Sequence, residues 1–382
     1  MPQVSAQQPR FLANTDDPRE YLALTEDPQA LVQEALEHTI ADNPPRSEYS
    51  SEQCRGLFRG PTALAYLLLK LSVHHPALQV QGVSLRDWAG RYMAAKRKER
   101  DSAPCGLACE SVSYWAVQTM MDESNATRFR TELERLADED GHPYELLFGY
   151  AGLLYMIRSI EKWRPEISSQ LSTVKARIVE KLLGAGPHWT WRDKRYIGAV
   201  HGDIGIPTQL LLTDAKLATN SMVRNSLDRL LALQRDDGNW NTKDDDDARY
   251  DGLVQVCHGA PGFVLSLVHI RRLFPDMDDR IEQAINMARQ AIWKLGLLRK
   301  EPCICHGILG NALAFPPGRE RDHFLAWSVP SKIAQERQLD TTLFPPEDAS
   351  KMSPWFCYWP GAAWTWSVCK DQIPDVILYS DV

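Results

Sequence analysis

The chain has no surplus of positive charge. Forty-three Lys and Arg stand against 50 Asp and Glu, a net charge of −7, so nothing supplies the counterion-releasing basic face that a nucleic-acid partner requires. The basic run RYMAAKRKERD at 91–101 reads as a solvated helix face, with a peripheral phosphate or membrane contact as the alternative. No apolar stretch approaches the ~20 residues needed to span a bilayer. The opening MPQVSAQQPRFLANTDDPREYL has neither the apolar core of a secretory leader nor transit-peptide character, and Pro2 is incompatible with the Met-Gly start of a myristoylation signal. Eight cysteines in 382 residues are too few for a disulfide scaffold. They cluster in a few motifs, which predicts a reducing, cytoplasmic setting and thiol or metal chemistry. Alternation of the β type is scarce.

What the chain does have is a repeat. Four segments share Gly-x-x-Gly followed by an apolar run: FGYAGLLYMI, HGDIGIPTQLLL, HGAPGFVLSLVHI and HGILGNALAF. Their first glycines, Gly149, Gly202, Gly259 and Gly307, stand 53, 57 and 48 residues apart. Weaker copies lie around Gly60, Gly106 and Gly361, with Ala63 and Cys109 in place of the second glycine of the first two and Tyr358 in place of the first glycine of the last. Seven copies of this length predict one helical hairpin each. The apolar runs suit inner helices buried all round. The amphipathic stretches 126–138, 171–183, 221–234 and 279–295 suit outer ones. The expected fold is all-α, a double-layered ring over residues 51–382 with the glycine turns on one face. Residues 1–50 are polar and proline-containing and read as an extension laid over the ring or partly disordered.

Two of the turns carry Cys-His-Gly: Cys257-His258-Gly259 and Cys305-His306-Gly307. Cysteine and neutral histidine are the usual ligands of a borderline-soft metal. Two such steps in equivalent repeats predict one metal held between neighbours. Cys303 forms Cys-x-Cys with Cys305, but alternation points it away. Cys105 and Cys109 lack further ligands nearby. The aspartates Asp244 to Asp247 miss the periodicity of a calcium loop and read as a solvated acidic loop.

With VHGDIG, the GNW ahead of VCHGAPG, and ICHGILGNALAF, the chain resembles the lanthionine synthetase C-like proteins over about residues 51–382. The resemblance implies an α/α toroid with one zinc ion at one end of the barrel, held by Cys257, Cys305 and His306. It places His201 at the family's acid/base histidine and Glu145 where the bacterial cyclases carry a catalytic aspartate. His258 matches a position near the metal that is not a ligand, and Lys300 a lysine implicated in binding or activating the thiol substrate. Leu253 stands where the bacterial cyclases have an arginine, which aligns the chain with the eukaryotic-type branch.

Zinc held by two thiolates and an imidazole would take up a substrate thiol and lower its pKa. The implied reaction is addition of a thiol, most plausibly glutathione, to a dehydroalanine- or dehydrobutyrine-type acceptor in a peptide or protein. A histidine at 201 would supply the proton, because imidazole exchanges protons near neutral pH. Several readings stay open. His201 also fits a core histidine, Glu145 a helix-start carboxylate, and Lys300 a solvent-facing turn residue. The same ligands would serve a non-catalytic zinc- and glutathione-binding scaffold or sensor. A toroid also suits a glycosidase using Glu145 and Asp203, or a prenyltransferase, although the glycosidase leaves the Cys-His steps without a role and the prenyltransferase expects an Asp-Cys-His ligand set. The aromatics Trp355, Phe356, Tyr358, Trp359, Trp364 and Trp366 read as core filling, or as an acceptor-binding wall.

Overall fold

In a computed structural model, residues 9–97, 105–244 and 251–382 are described. The inner helices are α2 (Pro61–His74), α4 (Glu110–Met121), α6 (Tyr150–Trp163), α8 (Gly205–Thr213), α10 (Ala260–Ile270), α12 (Ile308–Ala312) and α15 (Tyr358–Val368). Each of the first six is followed by an outer helix: α3 (Leu85–Met93), α5 (Ala126–Asp138), α7 (Ser168–Ala185), α9 (Ser221–Ala232), α11 (Asp278–Leu295) and α13 (Arg319–Ala326). A further helix, α14 (Pro330–Leu339), precedes the last repeat. Every residue from Tyr150 to Ile160 of α6 is buried, whereas α5 buries one face through Phe129, Leu133 and Leu136. The two sequence patterns therefore sort into two layers, as the burial of apolar area requires.

Inner helices touch in the order α2, α4, α6, α8, α10, and α12 touches α15, which returns to α2. Asn311 on α12 reaches the loop before α10 by donating from Nδ2 to Val254 O at 3.0 Å. The eroded repeats still close the ring. Gly60 N donates to Lys351 O and Met352 O, both at 3.1 Å, and Ser353 Oγ donates to Phe58 O at 2.7 Å. The seventh inner helix has its outer partner at the other end of the chain. Within the polar N-terminal segment, α1 (Pro28–Asp42) packs along α15. It buries Leu31, Val32, Ala35, Leu36 and Ile40. Ahead of it, residues 10–12 run beside residues 297–299, with Leu12 N donating to Leu297 O and Arg299 N to Arg10 O.

The C-terminal segment enters the ring from the end opposite the glycine turns. Asp381 Oδ1 accepts from the Tyr155 hydroxyl at 2.6 Å and Oδ2 pairs with Lys70 Nζ at 3.0 Å. Tyr379 bonds Ser266 at 2.5 Å, and Trp355 Nε1 donates to Ile377 O. Strand pairing among the described residues is confined to two-residue ladders and isolated bridges: Glu48–Tyr49 parallel to Lys96–Arg97, and Gln79–Val80 antiparallel to Val83–Ser84.

The second glycine of each intact Gly-x-x-Gly has one steric reason. Its Cα lies against the carbonyl six residues earlier: Gly152 on Leu146, Gly205 on Ala199, Gly262 on Val256 and Gly310 on Ile304. A Cβ at any of them would collide with that oxygen. Gly310→Ala is therefore expected to cost at least ~2 kcal/mol. Gly184→Ala, in α7 with open space around it, should gain roughly 0.5–1 kcal/mol. Denaturant unfolding of the two variants checks this, and equal effects would contradict it.

Candidate functional site

The turns ahead of the inner helices form a rim in which neighbouring loops are joined by main-chain hydrogen bonds. Leu57 N donates to Leu107 O, Leu107 N to Leu146 O and Leu146 N to Val200 O. Farther round, Cys257 N donates to Cys305 O at 3.2 Å and Cys305 N to Trp355 O at 3.0 Å. The two Cys-His-Gly steps are thus held side by side by their own backbones. Cys257 Sγ, Cys305 Sγ and a ring nitrogen of His306 all lie within 4.8 Å of one another. No other cluster of three such donors occurs among the described residues.

Both thiols are buried and hydrogen-bonded to each other. The bond from Cys305 lowers the pKa of Cys257, aided by the Gln255 amide, which donates to Cys257 Sγ at 3.1 Å, and by the charge of Lys300. Cys305 is raised, chiefly because it shares that proton. Burial brings His306 down to about 4, so its imidazole is neutral and able to ligate. Two sulfurs and a neutral imidazole fit a borderline-soft ion such as zinc. Cys303 lies outside the cluster, and burial pushes its thiol far up.

The GNW motif ahead of this site acts structurally. Asn239 Oδ1 accepts from Ala260 N at 2.7 Å and its Nδ2 donates to Leu253 O at 3.0 Å, clamping both sides of the Cys257 turn. Trp240 stacks on Phe263 of α10 at 4.0 Å. Gly259 holds φ +106 at the turn itself, a backbone conformation that L side chains rarely adopt.

His201, in the next turn of the rim, is fixed by Glu145. Its Nδ1 lies 2.9 Å from Glu145 Oε2. The same carboxylate accepts from Leu147 N at 2.8 Å and Phe148 N at 2.6 Å. Glu145 thus caps its own turn and contacts the His201 ring at once. The imidazole ring lies parallel to Trp191 at 4.1 Å, with Phe148 on a parallel plane at 6.3 Å. Trp191 starts a tight hairpin, bridged to Lys194, whose turn residues Arg192 and Asp193 have φ +52 and +58. His258 stands 6.1 Å from His201, ring to ring. Burial and the neighbouring His201 bring it to about 4, and its Nδ1 is buried without a partner. It is not one of the three clustered donors.

Lys300 is exposed and close enough to lower both thiols and His306. Arg10 on the N-terminal strap joins it at the rim, donating to Asp251 O at 2.7 Å and accepting from Arg299 N through its own carbonyl. Asp203 is fully buried and bound by Arg229, which also holds Asp244, and burial raises its pKa to about 7. With Asp203 committed to Arg229 and Glu145 to His201, these two carboxylates do not form the free pair that a glycosidase requires. Of the seventh-repeat aromatics, Phe356 meets the site, 5.1 Å from His306. Trp355, Trp364 and Trp366 are core, Tyr358 is buried, and Trp359 stacks on His38 of α1. Residues 245–250 of the acidic loop and 98–101 of the basic run lie outside the described residues.

Residues 98–316 match the lanthionine synthetase C-like protein family. The glutathione S-transferase LANCL1 of Danio rerio is 29% identical over 276 residues, 66% of this chain and 66% of its own. The LanC-like protein GCL1 of Arabidopsis thaliana is 30% identical over 185 residues, 46% of this chain and 42% of its own. The chain thus spans just under two thirds of the first relative and less than half of the second. Among solved structures, nisin cyclase superposes with a TM-score of 0.63 at 13% identity, over 91% of this chain and 94% of that one, a likeness of fold.

The Glu145 contact predicts that neutral His201 carries its proton on Nδ1. Glu145→Ala removes the acceptor that selects this tautomer, so the Nδ1–H form should lose its dominance. Long-range 15N–1H correlation of histidine-labelled protein reads the tautomer. An unchanged pattern would mean that Glu145 does not orient the ring.

Proposed function

The chain belongs to the lanthionine synthetase C-like family, and on that premise we propose that it is a zinc-dependent enzyme adding glutathione to dehydroalanine- or dehydrobutyrine-type acceptors in peptides or proteins. Cys257, Cys305 and His306 would hold the metal. Zinc bound by two thiolates and one imidazole supplies an open position and enough charge to present a thiol as thiolate at neutral pH.

The remaining steps fall to side chains. With Nδ1 committed to Glu145, His201 has Nε2 for proton traffic. That nitrogen takes the proton of the incoming thiol. Sulfur then bonds to the β-carbon of the acceptor, and the π electrons of its double bond move to the α-carbon and the adjoining carbonyl. Nε2 returns the proton to the α-carbon, so one thiol adds across one double bond with nothing left over. Trp191 restricts the imidazole to its plane. Lys300 and Arg10 offer cations at the rim that suit the two carboxylates of glutathione.

The observation carrying this reading is the shared end of the ring. A three-donor soft cluster and a carboxylate-oriented histidine occupy adjacent turns, and His258 follows one donor while facing that histidine. The test combines metal content with turnover. Chelator-free wild type should contain about one zinc per chain and consume a dehydroalanine peptide with glutathione. Cys305→Ala should lose both metal and activity. His201→Ala should keep zinc and lose activity on the order of 10²-fold or more. Zinc-replete wild type that binds glutathione without turnover would overturn the enzyme and leave a binding scaffold.

A further inference from the structure

Inner helix α12 ends after five residues, where the other inner helices run from nine to fourteen. At the end of the ring remote from the Cys-His rim, where its missing turns would continue, lies a cavity of about 410 Å³. That volume falls in the range of small-molecule sites. Val268 and Arg271 border it from α10 and the turn after it, and α11 forms its wall. The segment Gln372–Pro374 after α15 closes one side. Its Ile373 is one of three large apolar side chains left exposed among the described residues.

The charges around this cavity do not balance. Arg271 is neutralised by Asp278 and Glu282, both of which also face the cavity. Arg289 has no such partner. Its Nε donates to Ala314 O at 2.9 Å, and its terminal nitrogens have no hydrogen-bond partner among the described residues. Glu320 at the start of α13 acts on it only through space, and burial holds it below the ordinary guanidinium range. Arg272 is exposed at the lip and has no polar partner among the described residues. A guanidinium left half-desolvated beside an open volume costs free energy that a bound anion would recover. Beside these cations, Ile285, Leu313 and Phe315 form an apolar floor.

We propose that this cavity binds a small amphipathic anion, its carboxylate or phosphate head on Arg289 and Arg272 and its apolar body on Ile285, Leu313 and Phe315. The site is independent of the thiol-addition chemistry. Neither the Cys-His rim nor the groups that orient His201 contribute to it.

Calorimetric titration of the full-length, zinc-replete chain with octanoate, octyl phosphate and octanol tests the proposal. Saturable binding of an anion, with octanol at least ~10-fold weaker, is expected. The tighter of the two anions identifies the head group. Arg289→Met should weaken anion binding ~10-fold or more and leave zinc content unchanged. Arg272→Met provides the same readout if Arg289→Met does not fold. Octanol binding as tightly as the anions, anion binding unaltered in the folded variants, or no saturable binding below ~1 mM would overturn it.

Discussion

The carbonyl seated on the second glycine of each intact turn is the contact on which the rest of this molecule depends. It brings each inner helix to a fixed distance from the strand of loop that precedes it. The loop is thereby free to turn its own N–H and C=O groups sideways toward the neighbouring repeats. A ring of helices would otherwise be joined only through side chains, which pack but do not set register. Here main-chain bonds run from loop to loop along the rim, and the register between Cys257 and Cys305 is fixed by one of them. Backbone polar groups buried at helix starts must be satisfied somewhere. The fold satisfies them across repeats, which cross-links the rim.

The candidate chemistry sits on that cross-linked rim. Two thiols within reach of one imidazole lose side-chain entropy and, when ionised, repel each other, so the arrangement needs a frame that does not relax. Buried amides and carboxylates reinforce it. Asn239 clamps the Cys257 turn and Asn311 ties Val254 to Gly296. Glu145 stitches its own turn before it reaches His201. Asn239 and Glu145 are polar groups placed in the interior with partners on both of their polar atoms, the condition under which burial confers specificity instead of strain.

The layers of this fold could be read from its sequence because they follow helix period and glycine spacing, both local properties. That the two Cys-His-Gly steps lie side by side was legible for the same reason, since equivalent places in adjacent repeats must be neighbours, whereas the choice of His306 over His258 came from the family resemblance. Long-range pairings were not. Helix α1 is too polar to announce an outer-layer role, and its partner α15 lies more than three hundred residues away. The tail around Tyr379 and Asp381 has no periodicity. Its burial follows from hydroxyls and a lysine on other helices that the chain does not mark as partners. The Trp191 hairpin carries Arg192 and Asp193 at positive φ, where a glycine or asparagine would have signalled the turn.

The tail also decides how material moves through the ring. Residues 376–381 are buried against α2, α6, α8, α10 and Trp355 ahead of α15, so they close that end of the ring. Whatever reaches the Cys-His rim arrives and departs through the same doorway. On the proposed reading, a polypeptide acceptor would not be drawn through and scanned residue by residue; it would present a loop or a chain end, react, and back out. Successive modifications of one chain would then be separate visits, and their order would be set by which segment of the visitor is free to bend.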